Sequence, residues 1–510
     1  MLLTARTNAR HARRSAVVLA LLIGATACSA ANHSGSVHET AGQSGSATTA
    51  PVALPGPSVA SARRASTPGA TSQGGGNESG LLGVSSSATT NAPALGTHTE
   101  TVGGRTVLVG HGITPTRIEI GIQWLDAAGS ASAISAVGGK SSASGNVKKD
   151  AQSVVDYINA HGGVAGRQIA PVFYQANIQN LTTESGRSQE AQSMCASFTQ
   201  DHHVFAMVFL TASNDNVLDC AQRTQTPILT NSLGQMIDDQ RYAQMANYIY
   251  DPSDMTVDQR ERMLADQMVQ RGLLTPSSKL GLLIEGNSPM FKGAADRTLI
   301  PELRKYHIPV ASEAIYPDFI ESAWSTYVLQ FQQAGVTNVY FGDSEGSGWA
   351  AVFFMEAAEN QHYFPKYEFA TDHGFSFVAG SAPADQLVNV QGEGWVQSRD
   401  LSGSDATQPL TSTGAVCAQI MKSVGEPPVN GPPLCEPLFL LQKGLGAATD
   451  LTPGGFATAV EALKDSWPPV FVRRALFGPG HHLGAVEIRD VGFDRSCTCF
   501  KYTSAPRGIR

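Results

Sequence analysis

Residues 151–177 constrain the fold of this chain more than any other segment. Val154, Val155 and Ile158 recur at helical spacing and form one apolar face. Gly162-Gly163 follows, and glycine tolerates the positive φ at which a right-handed helix ends. A Gly-Arg turn at residues 166–167 then leads into an apolar stretch, residues 168–174, which predicts a short strand. The segment therefore predicts a helix packed against a strand, which is one unit of an α/β fold.

The same alternation continues along the rest of the chain. The predicted strands are residues 117–123, 168–174, 204–210, 227–229, 279–284 and 339–341. The predicted helices are residues 147–160, 188–199, 217–223, 257–270, 294–305, 324–333 and 349–359. Alternation at this spacing predicts parallel sheets with helices on both faces. Because the pattern restarts near residue 251, we expect two doubly wound, Rossmann-like lobes.

The N-terminus has the pattern of an export signal. A basic segment with four arginines precedes a short apolar core at residues 16–23, and Ala25-Thr26-Ala27-Cys28 follows. Small residues directly before a cysteine resemble a bacterial lipobox, which implies a lipoprotein signal peptide at residues 1–27 and diacylation of Cys28. Two acyl chains would hold the protein durably on a membrane. The alternative is an ordinary secretory signal that happens to contain a cysteine.

Residues 28–104 predict a tether between this anchor and the folded chain. Ser, Gly, Ala, Thr and Pro dominate the segment, and the first aromatic residue of the whole sequence is Trp124. Such a composition cannot bury enough apolar surface to offset its chain entropy, so we expect disorder. A flexible tether of roughly 70 residues has an r.m.s. reach of about 45–50 Å. It would suit a receptor held near a membrane partner, and equally an anchored enzyme.

Charge and composition exclude several classes of partner. The formal net charge is −8, and the sequence contains no basic run. Nucleic-acid binding needs clustered Lys and Arg, so we expect no nucleic-acid partner. No apolar run after residue 28 is long enough to span a membrane. We also expect no cofactor.

The helix, Gly-Gly stop, Gly-Arg turn and strand of residues 151–177 resemble the first αβ unit of the type I periplasmic binding proteins. The nearest group is the leucine/isoleucine/valine-binding family of ABC transporter receptors, here as a lipoprotein of the actinobacterial type. The resemblance covers about residues 115–500. It implies two lobes joined by a hinge of several strands, a small-molecule ligand, and an ABC permease as partner.

In this family the chain crosses between the lobes three times. Residues 392–396, an apolar strand flanked by glycine, resemble the second crossing. Helices near 410–423, 436–447 and 455–465 would then return to the first lobe, and residues 475–500 would cross back. The resemblance implies that lobe 1 comprises residues 105–250 and 395–475, and that lobe 2 comprises residues 251–394 and 476–510.

The resemblance also implies a ligand site built from loops at the carboxyl ends of strands. Hydroxyl and backbone N–H groups of lobe 1 would hold a carboxylate, and an acidic residue of lobe 2 would hold an ammonium group. The candidates on lobe 1 are Trp124, Thr211, Ser213, Asn214, Thr230 and Asn231. The candidates on lobe 2 are Phe291, Asp343, Glu345 and Asp372. Phe291 stands in an aromatic-x-Gly loop, residues 287–293, where the family usually has Tyr.

Each candidate also has a purely structural interpretation. Ser and Thr after strands often cap helices, Phe291 could belong to the core, and Asp343 could cap the helix that begins at Trp349. Phe in place of Tyr removes a hydroxyl group, and residues 343–348 form a polar loop. A simple branched-chain amino acid is therefore a doubtful ligand.

Six cysteines remain if Cys28 is acylated, an even number in an oxidising compartment. Cys195 and Cys220 lie on predicted helices that flank the strand at 204–210, so we expect them to form a disulfide. Cys417 and Cys435 can pair across the Pro/Gly-rich loop between them, which leaves Cys497 with Cys499. Cross-pairing among these four is the alternative. His481-His482 lies near these cysteines, but its spacing does not fit a zinc site.

Gly342-Asp343-Ser344-Glu345-Gly346 matches the G-x-S-x-G pattern of a serine-hydrolase nucleophile elbow. It follows a predicted strand and precedes a predicted helix, and Asp372 and His481 could complete a triad. An oxyanion motif at His161-Gly162-Gly163 fits poorly, because these residues end a helix in the other proposed lobe. We therefore expect a non-enzymatic solute-binding protein. A membrane-anchored hydrolase that uses Ser344 and a ligand sensor of the same fold remain the alternatives.

Overall fold

A computed structural model describes residues 96–102, 104–126, 146–177, 180, 184–209, 215–231, 237–286, 288–316, 321–343 and 348–509. Cys28 and the proposed tether up to residue 95 lie outside the described residues. The described chain opens with a two-stranded antiparallel sheet of β1 (His98–Val102) and β2 (Arg105–Val109). The end of β2 is attached to a distant part of the chain, because Gly110 N donates a hydrogen bond to Leu451 O at 2.7 Å.

The first large sheet has five strands, all parallel, in the order β4-β3-β5-β6-β7. The strands are β3 (Arg117–Trp124), β4 (Gln168–Gln175), β5 (Ala206–Val208), β6 (Ile228–Leu229) and β7 (Ile249–Tyr250). Its helices are α1 (Val147–Ala160), α2 (Glu184–Cys195), α3 (Asp215–Thr224) and α4 (Asp239–Met245), and α2 continues as a π-helical segment, Ala196–Asp201. Ile120 of β3 packs in one cluster with Val154 of α1, and Met207 of β5 packs in another with Val217 of α3. Helices therefore cover both faces, as predicted.

The junction between α1 and β4 has the structure that the sequence predicts. Gly162 has φ 97° and Gly163 has φ 66°, which ends the helix. A side chain at Gly163 would have its Cβ 2.0 Å from Arg167 O, so only glycine fits there. The Asn159 side chain then fastens the two elements together, since it accepts a hydrogen bond from Ile169 N at 2.7 Å and donates one to Ile169 O at 3.0 Å.

The second large sheet is mixed rather than parallel. Its order is β14-β13-β12-β11-β10-β8-β9, with β15 paired to β13. The strands are β8 (Leu280–Glu285), β9 (Val310–Tyr316), β10 (Asn338–Gly342), β11 (Lys366–Ala370), β12 (Val390–Gly394), β13 (Glu487–Asp494), β14 (Cys499–Tyr502) and β15 (Arg507–Gly508). Strands β8 to β12 are parallel, whereas β13, β14 and β15 pair antiparallel. The prediction of parallel sheets does not extend to this edge: β13 enters from the joint with the first sheet and runs antiparallel to β12, and β13 and β14 then form a hairpin, which needs no helical crossover.

Helices surround this second sheet. They are α5 (Val257–Gln270), α6 (Pro289–Ala294), α7 (Ile300–Lys305), α8 (Glu321–Gln333), α9 (Trp349–Asn360), α10 (Phe375–Ser381), α11 (Ala384–Leu387), α12 (Gln397–Asp400) and α13 (Ser404–Thr407). A π-helical segment, Ala295–Leu299, joins α6 to α7. The predicted helix 294–305 therefore begins earlier than expected, at Pro289, after a cap in which the Ser288 side chain accepts a hydrogen bond from Met290 N.

The last three helices return to the first sheet. They are α14 (Ser412–Ser423), α15 (Pro432–Ala447) and α16 (Pro453–Leu463). Gln442 of α15 donates a hydrogen bond to Gly163 O at 3.1 Å, directly at the end of α1. Lys149 of α1 pairs with Glu426, which follows α14, at 3.3 Å.

Three segments that link the two large sheets lie side by side. Asp251, after β7, forms an isolated parallel bridge with Leu483, and Gly484 N donates a hydrogen bond to Asp251 O at 2.8 Å. Trp395, directly after β12, donates from its indole N–H to Ser253 O at 3.1 Å. The segments after β7, after β12 and before β13 thus form one joint between the sheets.

The described residues contain three disulfides, and each joins the cysteines that were expected to pair within their own segment. Cys195–Cys220 joins α2 to α3, and Cys417–Cys435 joins α14 to α15. Cys497–Cys499 closes on itself at the turn between β13 and β14. Within the part of the chain that the structure describes, every helix is too short or too polar to cross a lipid bilayer.

Candidate ligand-binding cleft

A cleft of about 450 Å³ lies where the carboxyl ends of strands from both sheets meet. From the first sheet it is lined by Asp215 and Asp219 after β5, and by Asp238, Gln240 and Arg241 after β6. From the second sheet it is lined by Pro289, Met290 and Arg297, which follow β8. Ligands of doubly wound sheets bind outside the carboxyl ends of their strands, so the cleft is the candidate site.

Arg297 is the cation that the second sheet contributes to the cleft. Its guanidinium lies 3.0 Å from Asp238 Oδ2 and 2.8 Å from Asp258 Oδ2, so it joins elements that follow different sheets. Burial acts to raise the pKa of Asp258, but the hydrogen bonds from Arg297 and Thr298 outweigh it and hold the pKa below its usual range. The Arg297 side chain remains about 31% exposed, which leaves part of the guanidinium accessible from the cleft.

Arg241 is the cation that the first sheet contributes. Its guanidinium pairs with Asp219 and donates to Gln244 Oε1 at 3.1 Å. The backbone N–H of Arg241 donates to Asp238 Oδ1 at 2.7 Å, an N-terminal cap that fixes the start of α4. The cleft therefore combines two arginines with several carboxylates, a lining that suits a polar ligand with both donor and acceptor groups.

Deeper along the second sheet, the strand ends carry a group of buried polar side chains. Asp343 directly follows β10, and the Tyr316 hydroxyl at the end of β9 donates to its Oδ2 at 3.3 Å. Burial raises the pKa of Asp343 to about 7, and nearby Glu285 acts in the same direction. Burial likewise lowers the pKa of the adjacent His373 to about 4, with a contribution from Arg260, so this imidazole is neutral at pH 7.

Arg260 of α5 is the buried cation that supports these strand ends. It donates to Asp372 Oδ2 at 2.6 Å, to Asp343 O at 3.3 Å and to Glu261 Oε1 at 3.0 Å. Its guanidinium also lies 6.0 Å from the centre of the Phe291 ring. One guanidinium therefore holds the segments after β10 and β11 and the first turn of α6 together.

The predicted residues of lobe 2 lie at these strand ends. Asp343 and Asp372 are buried, and Asp372 uses one carboxylate oxygen for Arg260. Phe291 is only 2% exposed, because residues 288–293 form the start of α6 rather than the open loop that the sequence suggested. Glu345 lies outside the described residues.

The predicted ligand-binding residues of lobe 1 differ in how far their side chains are buried. Trp124, at the end of β3, is half-buried, and Lys148 Nζ lies 6.0 Å from the centre of its ring. Thr230 and Asn231, directly after β6, are fully buried, and the Asn231 amide donates to Pro433 O at 2.9 Å. Thr211, Ser213 and Asn214 lie outside the described residues.

Among the described residues, those that line the cleft are not those that the sequence singled out. Asp215 directly follows the candidate Asn214, whereas Asp238 and Arg241 stand several positions after the candidate Asn231. The sequence around Arg297 does not indicate that this residue lines the cleft. Its position depends on ion pairs with carboxylates 39 and 59 positions away in the sequence.

The candidate hydrolase motif gains no support from its described members. Ser344 lies outside the described residues. His161 ends α1, where its Nδ1 lies 2.7 Å from Tyr157 O and its ring stacks on the Tyr157 ring. Asp372 is engaged by Arg260, as described above. His161-Gly162-Gly163 is thus the end of a helix, as the sequence suggested.

His482, the second residue of the histidine pair near the C-terminus, has structural partners. His482 Nε2 lies 3.2 Å from Glu461 Oε1, and its Nδ1 faces Ala246 O. Among the described residues, His, Cys, Asp and Glu do not gather in a group of three or more that could hold a metal ion.

Buried carboxylates also lie at the joint between the sheets. Glu436 of α15 accepts hydrogen bonds from Val470 N and from Phe471 N through Oε2. Its other oxygen, Oε1, is buried and has no hydrogen-bond partner among the described residues. Burial raises the pKa of Glu436 to about 8, and burial raises that of nearby Asp251 to about 7.

Comparison with models of known protein families finds no match, and comparison with curated proteins finds none. Solved structures do match. A branched-chain amino acid ABC transporter protein from Thermus thermophilus with bound valine is 12% identical, with a TM-score of 0.56 over 78% of this chain and 97% of that chain.

Two further structures have the same fold. LivJ, a branched-chain amino acid transporter substrate binding protein from Streptococcus pneumoniae in complex with isoleucine, is 14% identical, with a TM-score of 0.54 over 77% of this chain and 99% of that chain. An ABC transporter solute binding protein from Rhodopseudomonas palustris in complex with 3,4-dihydroxybenzoic acid is 13% identical, with a TM-score of 0.54 over 77% and 98%. The chain therefore has the fold of the type I periplasmic binding proteins.

Proposed function

We propose that this protein is an extracytoplasmic solute-binding protein that captures a small polar ligand between its lobes for an ABC permease. The observation that carries the proposal is the cleft, which is lined by segments that follow strand ends of both sheets. Valine, isoleucine and 3,4-dihydroxybenzoic acid, the ligands of the three similar structures, all carry a carboxyl group. A carboxylate also suits a cleft with two arginines.

The ligand would be amino-acid-like rather than simply anionic. Arg241 and Arg297 can each donate two hydrogen bonds to a carboxylate, a geometry that favours planar oxyanions. The carboxylates of Asp215, Asp219 and Asp238 line the same cleft and would repel a ligand without a donor group. A zwitterion satisfies both sets of groups. Ligand contacts from both lobes would favour a closed arrangement about the joint between the sheets.

The residues selected from the sequence remain candidates for the deeper end of the site. Asp343 is the strongest of them, because its carboxylate lies at the end of β10 and its pKa is raised to about 7. A ligand ammonium group at this position would stabilise the ionised carboxylate. Thr230 is a weaker candidate, since it is buried below the strand end.

A lipid anchor at Cys28 completes the proposal. The lobes would be 105–250 with 395–475, and 251–394 with 476–510. The tether predicted for residues 28–104 would end before β1 (His98–Val102), because that segment is a strand paired with β2, and the residues before it would hold the lobes near the permease. A ligand sensor of the same fold would bind its ligand without stimulating transport. Reconstitution of the lipidated protein with its permease in vesicles separates these two functions, because only a transport receptor raises ligand uptake.

The test of ligand capture is a thermal-shift screen of amino acids, amides, polyamines, sugars and short peptides. A ligand at 100 times its Kd stabilises the folded state by about 2.7 kcal/mol. We expect a hit among solutes that carry a carboxylate, and no adduct of a serine-directed phosphonate probe. If Ser344 becomes labelled, or if only solutes without a carboxylate stabilise the protein, the proposal is wrong.

A further inference from the structure

The three disulfides differ sharply in their access to solvent. Cys417 and Cys435 are fully buried, and Cys195 and Cys220 are only 6% and 1% exposed. Cys497, by contrast, is exposed and Cys499 is partly exposed, at the turn between β13 and β14. Thiol–disulfide exchange needs an external thiolate to reach a sulfur atom. Access alone therefore makes Cys497–Cys499 the reactive bridge.

The exposed bridge also contributes little to the stability of the fold. It spans a sequence separation of 2, whereas the buried bridges span 25 and 18. A disulfide stabilises mainly by restricting the unfolded chain, and this effect falls as the closed loop shortens. Other interactions also stabilise the turn. Asp494 and Cys499 pair across the hairpin, and Asp494 Oδ1 accepts hydrogen bonds from Ser496 N and Oγ.

Thr498, between the two cysteines, has an unfavourable backbone conformation. Its φ is 53°, in the left-handed region that a β-branched residue rarely adopts. Its side chain is exposed, so packing does not hold it there. Opening the ring would let the backbone at Thr498 relax, which favours the reduced form.

We propose that Cys497–Cys499 is a thiol-exchange site whose substrates are external thiols, whereas the other two bridges are structural. An external thiolate attacks Cys497 Sγ, a mixed disulfide forms, and Cys499 leaves as a thiolate that takes a proton from solvent. A second external thiolate attacks the external sulfur of the mixed disulfide and releases Cys497. Two thiols are thereby oxidised to one disulfide, and the protein disulfide is reduced to two thiols.

The test is a redox titration of the native full-length protein with reduced and oxidised glutathione. Thiols are trapped by alkylation at each ratio and assigned by peptide mapping. We expect Cys497 and Cys499 to become alkylated at a thiol-to-disulfide ratio at least about tenfold lower than that which opens the buried bridges. If all three bridges open together, or if Cys497–Cys499 opens last, the proposal is overturned.

Two variants at Thr498 test whether the left-handed backbone conformation of this residue makes the disulfide easier to reduce. Asparagine adopts the left-handed region readily, so Thr498→Asn should make the bridge roughly fivefold harder to reduce. Thr498→Val keeps the β-branched side chain and is the matched control, which should not gain resistance to reduction. The buried disulfides report in each sample whether the fold is intact. Equal behaviour of the Asn and Val variants would contradict the proposal.

Discussion

Glu436 offers the sharpest test of the packing at the joint between the sheets. Its carboxylate is fully buried, one oxygen accepts two backbone N–H groups, and the other has no hydrogen-bond partner among the described residues. Burial raises its pKa from the usual 4.5 to about 8. Glu436→Gln keeps the shape and the acceptor oxygen but removes the ionisation.

The sign and size of the effect follow from proton linkage. The folded state binds the Glu436 proton more tightly than the unfolded chain does, so this group stabilises the fold at low pH. The stabilisation is lost as the pH rises from about 4.5 towards 8, at up to about 1.4 kcal/mol per pH unit. Between pH 5 and pH 7.5 the wild type should therefore lose about 1–3 kcal/mol more than Glu436→Gln.

Urea unfolding followed by tryptophan fluorescence, at half-unit steps from pH 5 to pH 8, measures this difference. Asp385→Asn, which removes an exposed carboxylate, is the control and should follow the wild-type profile. We expect Glu436→Gln to be more stable than the wild type above pH 7. Parallel profiles for Glu436→Gln and the wild type would refute the assignment of a buried, protonated carboxyl group.

Three further outcomes are expected. Arg260→Met should lower the free energy of unfolding by about 3–5 kcal/mol in urea titrations, because Asp372 would remain buried without its cation; an unchanged midpoint would contradict the role of Arg260. Replacing Cys195 and Cys220 together by serine should cost about 2–4 kcal/mol in the same assay, since their bridge spans a sequence separation of 25. Cys28→Ser should move the protein from the membrane fraction to the soluble fraction, and continued co-sedimentation with membranes would exclude the lipid anchor.

The elements that were predicted well carry strong local signals. Helices α1 and α5 have the predicted bounds, and each begins at a side-chain cap: Asn146 accepts a hydrogen bond from Lys149 N, and Thr256 accepts one from Gln259 N. A capping residue followed by apolar residues at helical spacing is a local pattern, so the start of such a helix can be predicted from a single sequence.

The elements that differ from the prediction depend on distant partners or on a local pattern that also fits a loop. Strand β9 alternates polar and apolar residues only weakly, and its pairing with β8 makes it a strand. Strand β11 is likewise defined by its neighbours β10 and β12. The start of α6 was available from the sequence, because Ser288 followed by Pro289 is a helix-start pattern. The aromatic residue Phe291 before a nearby glycine suggested a loop instead.

The residues selected from the sequence lie in chain segments near the candidate cleft but are not among the described residues that line it. Strand ends can be predicted from apolar runs, and they pointed to both walls of the cleft. Ion pairs between distant residues cannot be predicted this way. Arg297 and Asp238 are ordinary surface residues in the sequence, and the fold alone brings them to within 3.0 Å of each other.

The measurement that tests the central claim most directly is calorimetric titration of the ligand identified by the screen into cleft variants. Arg241→Gln and Arg297→Gln each remove a cation from the cleft lining, and Arg304→Gln, an exposed arginine on α7, is the control. A charge-assisted hydrogen bond contributes about 1.5–3 kcal/mol, so loss of one should raise Kd by roughly 10- to 150-fold. We predict this loss for at least one cleft variant and an unchanged Kd for Arg304→Gln. If both cleft variants, folded as judged by their unfolding transitions, bind within twofold of the wild type, the ligand does not bind in this cleft.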